Sequence, residues 1–194
     1  MLCASVICAT CFERMGHRLM LSLESIHRIR GILECGSTNI PGKPGVYAFW
    51  WMGERSELLS ANRHIGLRGP GGRRVDVKFG DWWEPGLPYP CLYVGKSTDI
   101  RHRFSQHLLR TKTNRLHASG ENNQKAKPYN SSCQLRFGIE HIFPNAKNPV
   151  EIITNSVGFS FDINFSDNAI AERFFAEDRL VGFLRPWFNI DSER

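Results

Sequence analysis

Cys91-Leu-Tyr-Val-Gly-Lys-Ser-Thr-Asp-Ile-Arg-His-Arg-Phe-Ser-Gln-His107 decides how the rest of the chain is read. Cys91 to Val94 is a short apolar run of strand formers, and Gly95 is expected to break it. Ser97-Thr98-Asp99 offers side-chain oxygens that cap a helix before an apolar-periodic segment. The spacing predicts strand, tight turn, helix. On that helix Ile100, Phe104 and Leu108 form an apolar stripe at i, i+4, i+8. Arg103 and His107 sit beside the stripe, one turn apart on nearly the same face. An arginine and a histidine at the edge of a packing face invite a chemical reading, and a helix-surface pair is its plain alternative.

Basic residues gather around this stretch. The chain of 194 residues carries a formal net charge of +6, with 41% hydrophobic residues. From Lys96 to Lys127 there are eight Lys or Arg against Asp99 and Glu121, and from Arg63 to Lys78 five against Asp76. Such a balance is compatible with a polyanionic partner without requiring one. Length and composition fit one domain over residues 21–194, with insertions at about 52–90 and 111–132. No apolar run reaches the roughly 18–20 residues of a membrane span, and Glu13 and Arg14 interrupt the apolar N-terminus. A cytoplasmic protein without membrane contact is expected, its six cysteines reduced.

N-terminal to the stretch, residues 1–20 read as a poorly ordered extension, with Met15 and Met20 as alternative starts. Cys3-x4-Cys8-x2-Cys11 contains a C-x2-C, but no second pair stands near enough to complete a zinc site. Leu21 to Glu34 reads as an amphipathic helix on Leu23, Ile26, Ile29 and Leu33, ended by Gly36 and the 41–45 glycine-proline cluster. Val46 to Trp51 is a strong strand. Arg68-Gly-Pro-Gly-Gly-Arg73-Arg74 reads as a hairpin turn, since it lacks the Lys-Ser/Thr of a phosphate-binding loop. Trp82-Trp83 with Pro85, Pro88 and Pro90 is an irregular, packed connection.

C-terminal to it, Thr111 to Ser132 is polar and basic, either a solvated loop or an arm contacting phosphates. Gln134 to Phe143 alternates and predicts a third strand, and Val150 to Phe165 predicts further strand, with Ile152-Ile153 inside it. Ser166 or Asp167 caps a helix from about Asn168 to Leu184, stopped by Pro186. Its expected core stripe is Ile170, Phe174, Glu177, Val181 and Leu184. Glu177 is the anomaly, because a carboxylate on an apolar stripe is costly to bury unless paired, protonated or bound to a cation. Arg103 and Arg173 are the expected partners of a purely structural Glu177.

Gly45-Val46-Tyr47, then Tyr93-Val94-Gly95, then Arg103 and His107 on the following helix, resemble the GIY-YIG nuclease domain. The C-terminal segment agrees, since Glu177, Leu180, Val181, Pro186 and Asn189 fit that family's E-x2-L-I-x4-P-x2-N ending. The match covers roughly residues 43 to 190, broken by the two insertions. The resemblance implies an α/β (α+β) fold with a small antiparallel three-stranded sheet flanked by helices. It also implies a catalytic set of Tyr47, Tyr93, Arg103, His107 and Glu177, and a Mg²⁺-dependent endonuclease cutting DNA.

In that reading Glu177 holds Mg²⁺ (or Mn²⁺), and Arg103 presents its fork to phosphate oxygens. Tyr47 orients or deprotonates the attacking water, His107 accepts that proton or positions Tyr47, and Tyr93 is a second positioning group. Lys96, Arg101, Arg110, Lys112, Arg73 and Arg74 are expected phosphate contacts. Gly45, Gly95 and Asn189 are structural near the site. The rival reading is a nucleic-acid-binding module that kept this fold and lost catalysis. DNA specificity and oligomeric state, dimer included, stay open in the sequence.

Overall fold

Seven consecutive apolar or glycine residues, Gly45–Trp51, form the central strand β2, and all seven are buried. A run buried on every side chain needs both faces of its sheet covered. A computed structural model, describing residues 25–36, 39–68, 73–108 and 134–190, provides that cover with helices on each face. In chain order the elements are β1 (His27–Arg28), α1 (Ile29–Glu34), β2, α2 (Arg55–Ser60), β3 (His64–Arg68) and β4 (Arg74–Lys78). Then come β5 (Cys91–Ser97), α3 (Ile100–Leu108), α4 (Gln134–Ile142), α5 (Pro149–Ser156), β6 (Val157–Asp162), α6 (Ile170–Leu184) and a 3₁₀ turn at Trp187–Asn189.

The fold is therefore mixed α/β, with an antiparallel sheet ordered β1-β6-β2-β5 and a separate β3-β4 hairpin. The expected three-stranded sheet gains the two-residue edge strand β1, which pairs with β6. Among the described residues no helix is long and apolar enough to cross a membrane.

Strand alternation sends Tyr47, Phe49 and Trp51 to one face and Val46, Ala48 and Trp50 to the other. On the first face lie Ile29 of α1, the Ile100/Phe104/Leu108 stripe of α3, Leu135 and Ile139 of α4, and Ile153 of α5. On the second lies α6, through Ala176, Leu180 and Leu184. In β5 the alternation is broken: Phe49 pairs with Tyr93 but Trp50 with Cys91, which leaves Leu92 as an extra residue. That bulge puts Leu92 and Tyr93 on the same face, and Cys91 and Val94 on the other.

Four sequence expectations are corrected. Gln134–Ile142 is a helix, not a strand. Leu135, Ile139 and Ile142 satisfy a helical period as well as the alternation did, and buried Arg136 pairs with Glu140 one turn on at 2.8 Å. Gly138 lets the Phe188 ring lie directly on the helix. Ile152-Ile153 is also helical, in α5. Asn148 accepts from the Glu151 amide and Pro149 occupies the first turn, a start signal that outweighs two β-branched residues.

The first helix begins only at Ile29, and Leu33, expected in its core stripe, is 44% exposed. Leu21 and Leu23 lie outside the described residues. In α6 the buried positions are Arg173, Ala176, Leu180 and Leu184, so the helix is rotated from the expected stripe and only Leu184 is fully buried from it. Arg173 is satisfied by the carbonyls of Ser166 and Asp167, whose side chains do not cap the helix.

The segment between β2 and β5 holds the hairpin expected there and an aromatic stack. Trp187 stacks on Trp83 at 4.6 Å and on Phe79 at 5.2 Å. Its indole donates to the Gly80 carbonyl at 2.9 Å. Trp82 and Arg185 hydrogen-bond reciprocally through backbone carbonyls. This segment thus anchors the turn after α6, and that turn carries Asn189.

Candidate active site

The strand β5 does not break at Gly95 but runs through it to Ser97, opposite Gly45 to Phe49 of β2. Gly95 lies opposite Tyr47, and a Cβ there would meet the Tyr47 hydroxyl at 2.5 Å. Glycine is needed because the phenol crosses the neighbouring strand. At Gly45 a Cβ would run into the Asp162 carbonyl of β6, so this position too is set by close approach. Among the described residues β5 is the outer strand of the sheet, with backbone groups on one side that have no strand partner. Asn189 supplies one: the Val94 amide donates to its Oδ1 at 2.7 Å and its Nδ2 donates to the Val94 carbonyl at 2.8 Å. Asn189 therefore pins β5 between Tyr93 and Gly95.

Asp99 caps α3, accepting from the His102 amide at 2.8 Å, as its place before the apolar stripe predicts. With the stripe buried, Arg103 and His107 come together over β2 and β5. The Arg103 Nε donates to the Tyr47 hydroxyl at 3.2 Å, and His107 Nε2 lies 3.1 Å from the same oxygen. Gln106, not singled out in the sequence, accepts from the Arg103 guanidinium at 3.0 Å. Its signal was the i, i+3 spacing. His107 is fully buried among Tyr47, Phe49 and Tyr93, with ring centroids at 5.8, 5.0 and 5.6 Å.

Burial governs the titration of this cluster. It pushes the His107 imidazole down to about 3, helped by the Arg103 charge, so the ring is neutral at physiological pH. Among the described residues the buried His107 Nδ1 has no hydrogen-bond partner, which a neutral ring tolerates and an imidazolium would not. The Tyr47 hydroxyl, in a residue 1% exposed, is raised well above the ordinary tyrosine value by burial and then by Tyr93, with Arg103 opposing. Tyr93, 7% exposed, is raised by burial, with Arg103 opposing and the Glu177 carboxylate adding to the rise. The charge of Glu177 is thus felt at Tyr93 from α6, on the other face of the sheet.

Glu177 is half-buried and ion-paired with Lys96 of β5, instead of the Arg103 or Arg173 expected for a structural role. Lys96 also lies 3.8 Å above the Phe174 ring. Among the described residues no three His, Cys, Asp or Glu cluster as a ready-made metal site. A single carboxylate is nonetheless a sufficient protein ligand for an ion such as Mg²⁺ that keeps most of its waters.

Tyr47, Tyr93, Arg103 and His107 thus converge from three elements, with Glu177 approaching β5 from α6 on the other face, and with Gly45, Gly95 and Asn189 shaping the backbone beneath them. The expected phosphate contacts scatter more widely. Lys96 is in the site. Arg101 is on α3 and donates to the Ile40 carbonyl. Arg73 is exposed, and Arg74 pairs with Asp76 within the β3-β4 hairpin. Arg110 and Lys112 lie outside the described residues, as do the cysteines near the N-terminus and the whole of the 111–132 segment. Cys35 and Cys91 are free thiols. Compared with protein-family models, curated protein sequences and solved structures, the chain finds no match.

Proposed function

We propose that the chain is a metal-assisted endonuclease of the GIY-YIG type that hydrolyses DNA phosphodiester bonds. The observation that carries this reading is the hydrogen-bonded meeting of Tyr47, Arg103 and His107 beside Tyr93, with Glu177 in electrostatic reach. Hydrolysis of a phosphodiester needs an oriented water, positive charge on the phosphoryl oxygens and help for the leaving oxygen. Arg103 keeps its charge at every physiological pH, and among the described residues Tyr47, Tyr93 and Gln106 engage only part of its donor set. Its remaining donors suit phosphate oxygens.

The division of labour between the tyrosines follows from burial. Tyr47 accepts from Arg103 and has its proton held firmly, so it acts as the strut that aims the guanidinium, with neutral His107 fixing the phenol. Tyr93 is the more exposed of the two and feels both Arg103 and Glu177, which suits it to orient the attacking water. Glu177 is the residue that would hold Mg²⁺ or Mn²⁺. When bound there the ion supplies Lewis-acid charge for the leaving 3′-oxygen and lowers the pKa of nearby acids. Lys96, once free of Glu177, becomes a phosphate contact.

The Lys96–Glu177 pair also gives the rival reading its footing, since an ammonium that stays on the carboxylate leaves a binding module without catalysis. One experiment separates the two. Purified protein is incubated with supercoiled plasmid with and without Mg²⁺. Cleavage is expected only with the ion, and Arg103→Ala or Glu177→Ala should slow it by about 10²–10³-fold. Undiminished cutting by either variant overturns the mechanism, and salt-sensitive binding without cutting supports the rival.

A further inference from the structure

The stripe read from sequence as the core of α6 is in part its open face. Ile170 is 59% exposed, Phe174 51% and Phe175 68%, three of the five large hydrophobic residues that are exposed among those described. Ile170, Phe174 and Glu177 follow one another at i, i+4, i+7, so this apolar strip runs into the candidate metal ligand. The junction is Lys96, whose ammonium both pairs with Glu177 and lies 3.8 Å over the Phe174 ring. The Phe174 ring is therefore half exposed beside Glu177, with the Lys96 ammonium over one face, and a phosphate that draws Lys96 away frees that face.

We propose that Phe174, with Phe175 beside it, is a stacking platform for an unpaired nucleobase adjacent to the phosphate taken by Arg103 and Lys96. This rests on the nuclease reading and deepens it, because it assigns the substrate class: nucleic acid with an unstacked base at the cut, single-stranded or distorted. Bases inside a continuous duplex have no free face to offer a protein ring, whereas an unpaired base does. A nucleotide also matches the mixed chemistry here, giving a π-face to Phe174 and an anionic phosphate to Lys96. A second copy of the chain is a poorer match. Glu172, Asp178 and Arg179 are exposed on the same helix among the rings, and three side chains fall far short of the roughly 800 Å² per partner of a stable interface.

The full chain, in EDTA so that nothing is cut, is titrated into oligonucleotides carrying 2-aminopurine in single-stranded, single-base-bulged and fully paired contexts. The first two should bind more tightly than the duplex, with a fluorescence change that reports stacking. Phe174→Ala should weaken binding of the unpaired substrates about tenfold and leave the duplex unchanged. Phe174→Trp should retain binding. Phe174→Leu, which keeps bulk without a π-face, should behave like the alanine variant. Equal binding by wild type, Ala and Leu variants overturns the proposal, as does an equal loss on duplex. A concentration-dependent dimer abolished by Phe174→Ala also overturns it and gives the face to a second copy. Mg²⁺-dependent plasmid cleavage by wild type alongside Phe174-independent binding sinks only the platform. Phe174-dependent binding without cleavage keeps the platform as a binding site and sinks the nuclease reading.

Discussion

Tyr47 and Glu177 approach the edge strand β5 from opposite faces of the sheet and are held by different forces. Tyr47 sits in the larger core, its hydroxyl fixed by Arg103 and His107 and its ring between Phe49 and Tyr93. Glu177 lies on α6 at the solvent margin, held by an ion pair to Lys96. The contrast shows how work is divided at this rim. Packing sets the direction of Arg103 and the phenols before any ligand arrives, and the carboxylate keeps a partner that a cation or phosphate can displace.

Truncation is the sharpest way to break that contrast. Tyr47→Ala removes a fully buried ring and should cost about 3–5 kcal/mol in chemical denaturation, whereas Glu177→Ala should slow cleavage by about 10²–10³-fold and change stability by less than about 1 kcal/mol. Equal losses of stability in the two variants would erase the distinction.

Titration of the buried half comes next. Because the folded state holds His107 at about 3 against 6.5 for a free imidazole, the unfolded chain binds a proton that the folded chain does not. Stability from this site is full above pH 6.5 and is lost as pH falls toward 3, by about 1.4 kcal/mol per unit. Urea midpoints measured between pH 7 and 4.5 should fall steeply for wild type and less steeply for His107→Gln. Parallel curves would show that His107 does not sense pH.

Gly95→Ala tests whether the phenol's path over β5 is as tight as it looks. The added methyl meets the Tyr47 hydroxyl, and a destabilisation of about 1–3 kcal/mol with loss of cleavage is expected. A fully active Gly95→Ala protein would mean that Tyr47 has room to move. The smallest effect belongs to Lys96→Met, which should shift stability by less than 1 kcal/mol while lowering the Mg²⁺ concentration needed for half-maximal cleavage. No change in that concentration would show that Lys96 does not compete for Glu177.

The strand and helix that carry the candidate site were more legible in the sequence than the fold around them. Arg103 and His107 could be placed because a capped helix with a clean i, i+4, i+8 stripe admits one phase, and β5 followed from its apolar run, although it passes through Gly95 instead of ending there. Two helices were read as strand for identifiable reasons. Leu135, Phe137 and Ile139 fit period two as well as Leu135, Ile139 and Ile142 fit the helical period, and only the Arg136–Glu140 spacing favoured the helix. In Asn148-Pro149 the cap decided what Ile152 and Ile153 left ambiguous. Glu177 drew notice as a carboxylate on an apolar stripe, yet α6 turns much of that stripe to solvent.

By itself the sequence determined β2, the α3 face and the positions of the residues that meet there, because local periodicity, caps and glycines act over a few residues. Tertiary structure alone decided three things. The Leu92 bulge brings Tyr93 to the Tyr47 face, Asn189 reaches back across ninety-five positions to pin Val94, and the rotation of α6 pairs Glu177 with Lys96 and opens Phe174. Each depends on which distant surface packs best against the sheet, a balance that no local window of the chain contains.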